Sequence, residues 1–317
     1  MKEGRKGRDT VQMNSAVQVG LTQTRIGNSA MRLTLMSSNI PAPSDRGMQK
    51  SANKVCDQIE ELNKTDMGGV RKRIREINTH RGNPPSKVDL MVDATYNNPI
   101  YSGGGKTPLQ PASQVMFSTI EHNTKDQYVL DLVIKNKLCN IWPPCDSEHS
   151  SHCKGNLPLA SSICNEQAYC SESLENLKRD GLEVDKLVTD TGAIKAADKI
   201  YKCCTSCTKP QHYLDPIHLN LTTKKVESVN RRLKRSLPSS VNFTRNFSGR
   251  AHRAVYSVNH RPGNAIKELY SGVGCPITAG SSVSKDLDNE QKRHLYNKAL
   301  SKSIKGKIQK ETEKITT

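Results

Sequence analysis

The stretch that most constrains the fold runs from residue 88 to residue 98 and reads VDLMVDATYNN. Apolar residues dominate its first five positions, and an acid, Asp93, follows them directly. A short apolar run that ends in an acid and then in small and polar residues is typical of a buried β-strand. We therefore expect this strand to deliver the Asp93 carboxylate at its C-terminal end.

Two downstream stretches repeat this pattern. Residues 182–192 read LEVDKLVTDTG and predict a second acid-bearing strand, which ends at Asp190. Residues 214–218 read LDPIH and predict a third, in which Asp215 and His218 form an Asp-x-x-His signature. Strands that present carboxylates at one edge of a sheet make a site for divalent cations, and hard oxygen ligands suit Mg²⁺. Such ions act on phosphodiesters by clamping the attacking and leaving oxygens.

The N-terminal part of the chain predicts helices. Residues 1–14 are expected to be a disordered basic leader, and residues 15–86 a helical region. The second helix of this region should begin after Ser44 as N-cap and be interrupted at Gly68-Gly69. A helix pair joined by a short turn is consistent with a helix-turn-helix in a DNA groove, or with a helical bundle packed on the next domain. Apolar residues about one turn apart mark the first helix: Ile26, Ala30, Leu33 and Met36.

Residues 87–237 then combine strands and helices in a recognisable order. The predicted order is three strands in an antiparallel meander, a Cys/His-rich loop, a helix, the second acidic strand, a helix, the third acidic strand and a final helix. This order predicts an α/β, RNase H-like fold, with a mixed five-stranded sheet flanked by helices and the loop as an insertion. The first and fourth strands are neighbours in that fold, so Asp93 and Asp190 should face each other. The strands and intervening helices are expected at 88–93, 115–120, 128–134, 166–178, 184–190, 193–200 and 213–218.

Charge indicates the class of partner. Lys and Arg number 48 against 31 Asp and Glu, a net charge of +17, which favours a polyanion such as nucleic acid. Aromatic residues make up only 4%, which argues against a single-strand binder built on stacking. No apolar run of about 18 residues is present, so no membrane span is expected.

Residues 238–317 should form a basic, partly helical tail, with a projecting helix from Glu290 onward. One basic cluster fits a DNA-backbone contact, a nuclear localisation signal or a solvated helix face: Arg231, Arg232, Lys234 and Arg235.

The cysteines suggest a second metal site. Thiolates and an imidazole suit a closed tetrahedral zinc site, although buried or free thiols are the alternative. His152 competes with His149 as the imidazole ligand. A second group of cysteines is interpreted as surface thiols, or as sharing a site with Cys164 and Cys170. The loop ligands are Cys139, Cys145, His149 and Cys153, and the second group is Cys203, Cys204 and Cys207.

Taken together, these stretches resemble the Mutator-like transposase domain of eukaryotic mobile elements, over most of residues 15–236. The resemblance rests on the helical leader, VDLMVDATYNN, YVLDLVIKNKLC, the Cys/His loop, GLEVDKLVTDTG and LDPIHLN. It implies a metal-dependent Asp-Asp-Glu nuclease that hydrolyses DNA and joins 3′-hydroxyls to target DNA. Asp93 is then the first acid, Asp190 the second, and Asp215 with His218 the Asp-x-x-His pair. His218 is expected to touch phosphate or a metal-bound water.

The resemblance leaves the third acid without a clear counterpart. Glu268 is the best candidate and Glu290 the next. Relatives often read Asp-Gly-Asp at the second acid, whereas this chain has Thr-Asp-Thr-Gly. From the family resemblance, the first hypothesis is a nuclear transposase that cuts and joins double-stranded DNA with Mg²⁺ or Mn²⁺. The alternatives are a degenerate relative that binds DNA without cutting it, and a zinc-stabilised interaction module; a homo-oligomer is left open.

Overall fold

The chain is described here from a computed structural model. The described residues are 5–24, 26–97, 112–124, 126–146, 148–158, 160–188, 216–238 and 243–300. They form eight helices and one mixed sheet of four strands. None of the helices in these ranges is long and apolar enough to cross a membrane.

Three helices precede the sheet: α1 (Arg5–Leu21), α2 (Asn28–Ser37) and α3 (Asp45–His80). Helix α1 begins inside the stretch that was expected to be a disordered leader. Its C-terminal part is held by packing, because Val19 lies in a buried cluster with residues of α3. As predicted, Ser44 caps α3: its Oγ accepts a hydrogen bond from the backbone N–H of Gly47 at 3.1 Å.

Helix α3 runs without a break through Gly68-Gly69, so the predicted interruption is wrong. A glycine inside a helix costs about 1 kcal/mol relative to alanine. Met67 and Val70, on either side of the pair, are both buried against other elements of the fold. Burying such side chains contributes roughly 1.5–3 kcal/mol each, which outweighs the local cost of the glycines.

The four strands are β1 (Lys87–Asn97), β2 (Gln114–Glu121), β3 (Val129–Asn136) and β4 (Glu183–Val188). Their order in the sheet is β3-β2-β1-β4. Strands β1, β2 and β3 pair antiparallel, which confirms the predicted meander, and β4 pairs parallel to β1. The two acid-bearing stretches therefore belong to neighbouring strands.

Helices cover both faces of this sheet. Helix α4 (Glu166–Arg179) lies on one face, where Val92 of β1 packs in a cluster with Tyr169. Helices α5 (Pro216–Ser236) and α6 (Phe247–His260) lie on the other, where Met91 packs in a cluster with Leu233. Because successive residues of a strand point to opposite faces, a strand covered on both sides reads as a continuous apolar run. This is the origin of the mainly apolar pattern at 88–92, which Asp89 alone interrupts.

The prediction of a strand at 213–218 is corrected by the structure. Residues 216–218 form the first turn of α5, while 213–215 lie outside the described residues. Pro216 explains the helical start, since its fixed φ and missing N–H suit the first position of a helix. The described part of the sheet thus has four strands, and the predicted helix at 193–200 lies outside the described residues.

The stretch expected to be a tail contributes to the core. Helix α6 is among the most buried elements, and Gly249 lies so close to α3 that a Cβ there would sit 2.5 Å from the Cβ of Cys56. Helices α7 (Pro262–Gly272) and α8 (Ser282–Leu300) follow. The last helix begins before Glu290 and is tied to α7, since the Gly263 N–H donates to Gln291 Oε1 at 3.1 Å.

Candidate functional site

The Asp93 side chain points from β1 toward helix α5. Its backbone pairs with Ser118 of β2, whose Oγ donates to the Asp93 carbonyl oxygen at 3.4 Å. Met91, two residues earlier on the same face, packs in the cluster that includes Val229 of α5. The side-chain amide of Asn230, also on α5, donates a hydrogen bond to Asp93 Oδ2. The first candidate acid is thus partly buried and oriented by a helix that follows the second acid in the chain.

Asn230 is a site residue that the sequence analysis missed. It is buried, and its Oδ1 atom has no hydrogen-bond partner among the described residues. The two ends of an Asn amide exchange by a 180° rotation, so this oxygen can also face Asp93. Carboxylate and amide oxygens are ligands of hard divalent cations, so the pair fits such an ion. The only local signal was its place next to Val229 on the apolar face of α5.

The structure does not describe the side chains of the other acids predicted on the strands. Asp190 and Asp215 lie outside the described residues, as does the side chain of His218, whose backbone is in the first turn of α5. The last described pair of the β1–β4 register joins Met91 to Val188. The convergence of Asp93 with Asp190 therefore stays a prediction.

Glu268, the candidate third acid, lies on α7 in a network of polar side chains. It accepts a hydrogen bond from the Tyr256 hydroxyl at 2.8 Å and lies 3.0 Å from His260 Nδ1. The other ring nitrogen of His260 lies 2.7 Å from Asp66 of α3. Burial by itself lowers the pKa of His260, but Asp66 and Glu268 outweigh it and raise that pKa. The network joins α3, α6 and α7, and the catalytic roles of Glu268 and of Glu290, on α8, stay predictions.

The four predicted loop ligands converge in space. The ligand atoms of Cys139, Cys145, His149 and Cys153 all lie within 4.8 Å of one another. The Cys139 Sγ is 3.6 Å from the sulfurs of both other cysteines, and His149 Nδ1 is 3.4 Å from Cys153 Sγ. A tetrahedral zinc site with Zn–S bonds of about 2.3 Å places neighbouring sulfurs about 3.8 Å apart. The cluster can therefore hold a metal such as zinc, and His149 rather than the exposed His152 belongs to it.

Backbone N–H groups surround the sulfurs of this cluster. Cys145 donates to Cys139 Sγ at 3.4 Å, Ser150 to Cys145 Sγ at 3.5 Å and Gly155 to Cys153 Sγ at 3.3 Å. Such bonds favour the thiolate, which is the form that binds metal. The donation from Cys145 lowers the pKa of the Cys139 thiol to about 6, whereas burial raises the pKa of Cys153.

The loop also sets the tautomer and position of His149. Its Nε2 lies 3.2 Å from the backbone oxygen of Leu157. A carbonyl oxygen only accepts, so Nε2 carries the proton and Nδ1 keeps its lone pair toward the sulfurs. Gly155 leaves room for the ring, since a Cβ there would lie 2.4 Å from His149 Cε1.

The remaining cysteines are distributed elsewhere. Cys164 is exposed, and Cys170 is buried in the apolar cluster between α4 and the sheet. Neither belongs to the Cys/His cluster in the described part of the chain. The group at 203–207 lies outside the described residues, so its role stays a prediction.

The predicted basic cluster lies at the C-terminal end of α5 and has two kinds of member. Arg231 is exposed and pairs with Glu227, one turn earlier, at 3.1 Å. Lys234 and Arg235 are also exposed, whereas Arg232 is partly buried. Arg232 lines a cavity of about 610 Å³.

Comparison with known proteins gives one match. The family model of the Mutator-like transposases matches residues 1–237. Neither the curated proteins nor the solved structures contain a match to this chain. The matched residues include β1 with Asp93, the Cys/His loop, β4 and helix α5, and they make up more than half of the 317 residues. The chain therefore belongs to the Mutator-like transposase family.

Proposed function

We propose that the protein is a DNA transposase that cleaves DNA strands and transfers them with the help of a divalent metal, using Asp93 and Asp190. The register of β1 and β4 carries this proposal. At the last described pair, Met91 lies opposite Val188, and each acid comes two residues later in its own strand sequence. Parallel strands that keep this register bring the two carboxylates to neighbouring positions.

We also infer an RNase H-like arrangement for the core. The strand order β3-β2-β1-β4, with an antiparallel meander followed by a parallel strand, supports it. So does the presence of helices on both faces of the sheet. In this arrangement the two acids belong to the neighbouring β1 and β4 stretches.

The residues around Asp93 suit the reaction. Mg²⁺ or Mn²⁺, when bound, supplies charge stabilisation for the oxygens of the reacting phosphodiester. Asp93 and Asp190 are the proposed carboxylate ligands, and Asn230 holds Asp93 in one orientation. Glu268 and Glu290 remain the candidates for the third acid. The zinc cluster is proposed as a structural site, because all four positions of a tetrahedral site are filled by protein ligands.

A supercoiled-plasmid cleavage assay with Mg²⁺ or Mn²⁺ tests this proposal. Asp93→Asn and Asp190→Asn should abolish metal-dependent nicking, while the circular dichroism spectra stay unchanged. Asp89→Asn, on the same strand, is the matched control and should nick like the wild type. Nicking that persists in either of the first two variants would overturn the assignment.

The same assay separates the proposed function from its alternative. A wild-type protein that binds duplex DNA but does not nick it with either metal would be a degenerate relative. We propose the nucleus as its place of action and double-stranded DNA as its partner, on the basis of the family and the net charge of +17. Binding should weaken steeply with salt, because cations on the protein displace counterions from DNA.

A further inference from the structure

A cavity of about 610 Å³ borders residues described above, since its lining includes Val229, next to Asn230 on α5, and His260, which lies 3.0 Å from Glu268. Its walls come from the end of the β2–β3 hairpin, from α5, from the α6–α7 junction and from α8. Four separate parts of the chain therefore contribute to it. The charged and titratable groups on these walls are Asp126, Tyr128, Arg232, His260, Arg261, His294 and Lys298.

The walls of this cavity carry an excess of positive charge. Arg232, Arg261 and Lys298 are permanent cations, and Asp126 is the only carboxylate among the described lining residues. Asp126 lies 3.4 Å from Arg261 Nη2 and 3.4 Å from Lys298 Nζ. Among the described lining residues there are therefore three cations and one carboxylate.

Arg232 has the least compensation of the three cations. It is partly buried and forms no ion pair with a carboxylate of the described chain, while its neighbour Arg231 pairs with Glu227. Burial lowers the pKa of the Arg232 guanidinium, which reflects a cost of desolvation. A charged group that loses water without gaining a partner is destabilised, and an anion in the cavity would supply that partner.

The same excess of positive charge shifts the pKa of His294. Burial lowers its pKa, and Arg232, Lys298 and Arg261 lower it further, while Glu290 acts in the opposite direction. Three cations from α5, α8 and the α6–α7 junction therefore act on one imidazole. A bound anion would reverse this effect and favour the imidazolium.

We propose that this cavity binds a phosphate group of a DNA backbone. The inference rests on the proposed function, in which DNA is the substrate, and it adds a contact point at a cavity whose wall includes His260, the neighbour of Glu268. A phosphodiester has two non-bridging oxygens that share one negative charge and accept hydrogen bonds from several directions, which suits donors that arrive from separate elements. A guanidinium offers two parallel donors to such a group, and the lysine ammonium acts as a point charge.

A second, exposed cation provides a matched control. Arg232→Gln removes a charge from the cavity, and Lys285→Gln removes one from the exposed surface of α8, outside the predicted basic cluster. Fluorescence anisotropy of a labelled duplex should show several-fold weaker binding for Arg232→Gln. Its slope of log affinity against log salt should be lower by about 0.9, which corresponds to one phosphate contact. Lys298→Gln should behave like Arg232→Gln, and Lys285→Gln like the wild type; equal effects of Arg232→Gln and Lys285→Gln would overturn the inference.

A second measurement uses inorganic phosphate as the probe. NMR titration of the His294 ring should show a higher pKa in the presence of phosphate for the wild type, and no such rise for Arg232→Gln. An unchanged His294 pKa in the wild type would overturn the inference. A phosphate response without any effect of Arg232→Gln on duplex binding would indicate a free-phosphate site and would overturn the DNA assignment.

The two proposals fail in different ways. If the wild-type protein nicks plasmid DNA and the Arg232→Gln variant binds duplex normally, the transposase proposal is supported and the proposed phosphate site in the cavity is contradicted. If duplex binding depends on Arg232 but the protein never nicks DNA, the proposed phosphate site is supported and the catalytic proposal is contradicted.

Discussion

Asn230 on helix α5 donates a hydrogen bond to the carboxylate of Asp93 on strand β1, although 137 residues separate them in the chain. The orientation of the first candidate acid is therefore set by the helix that follows the second. The other end of the Asn230 amide is buried and has no partner within the described parts of the structure. This arrangement leaves an oxygen-rich position beside Asp93 that a cation can complete.

Replacement of Asn230 by Asp should make the free energy of unfolding depend on a bound metal ion. Two carboxylates in contact repel each other, and the hydrogen bond to Asp93 is lost, so we expect the metal-free protein to lose about 1–3 kcal/mol of unfolding free energy. Mn²⁺ should restore most of that loss, because a cation between the carboxylates removes the repulsion. Urea unfolding in EDTA and in Mn²⁺ measures both effects. Equal stability of variant and wild type in EDTA would argue against the contact.

Removal of a zinc ligand should cost both metal and stability. We expect the purified protein to carry one zinc ion, and Cys145→Ser to lose it, since a serine hydroxyl is a poor zinc ligand. Cys164→Ser is the control, because that thiol is exposed and lies outside the cluster. Elemental analysis and thermal unfolding with and without a chelator provide the measurements. A wild-type protein that is purified without zinc would contradict the proposed zinc site.

Gly155→Ala should weaken zinc binding without touching a ligand. The added Cβ would lie 2.4 Å from the His149 ring, so the ring must move away from the cysteines. Disturbing the groups that support a metal ligand typically costs about 10–100-fold in affinity. Competition with a chromophoric chelator measures this change. An unchanged zinc affinity would show that His149 does not depend on the space at Gly155.

Two glycines of long helices should respond to alanine in opposite ways. A Cβ at Gly249 would lie 2.5 Å from the Cβ and 2.6 Å from the carbonyl oxygen of Cys56, so Gly249→Ala should destabilise the fold by about 1–3 kcal/mol. At Gly69 a Cβ meets no atom within 4 Å, so Gly69→Ala should stabilise α3 by about 0.5–1 kcal/mol. Chemical denaturation of both variants tests the pair, and stabilisation by both would contradict the close approach of α3 and α6.

His252 should make the fold sensitive to mild acid. It is buried beside Asn63, whose Nδ2 lies 2.8 Å from His252 Nδ1, and burial lowers its pKa to about 4; Glu60 raises it in part, and Lys64 lowers it. A histidine whose folded pKa lies below the unfolded value of about 6.5 stabilises the neutral fold above that pH. This contribution is lost as the pH falls from about 6.5 toward 4, up to roughly 3 kcal/mol.

His252→Gln tests this expectation. Urea unfolding at pH 7, 6 and 5 should show a smaller loss of stability for the variant than for the wild type. His260 acts with the opposite sign, since its folded pKa is raised: its contribution is present below the unfolded pKa and lost as the pH rises. Because His260 is present in both proteins, its effect cancels in the comparison. Identical pH dependence of the two proteins would contradict the assignment.

The sequence by itself determined the features that depend on neighbouring residues. The apolar run at 88–92, the meander, the Ser44 cap and the spacing of the Cys/His loop follow from local periodicity, turn chemistry and ligand type. These rules act over a few residues, so a single sequence is enough to apply them. The family resemblance rests on the same stretches.

Only the tertiary structure decided the remainder. The continuity of α3 through Gly68-Gly69, the packing of α6 into the core, the contact of Asn230 with Asp93 and the cations around the cavity all join residues that are distant in the chain. Their free energy comes from burial and from charge in partly desolvated surroundings, which depend on where other elements lie. For that reason the local pattern could not show that Asn230 contacts Asp93, or that Arg232 differs from the other members of its basic cluster.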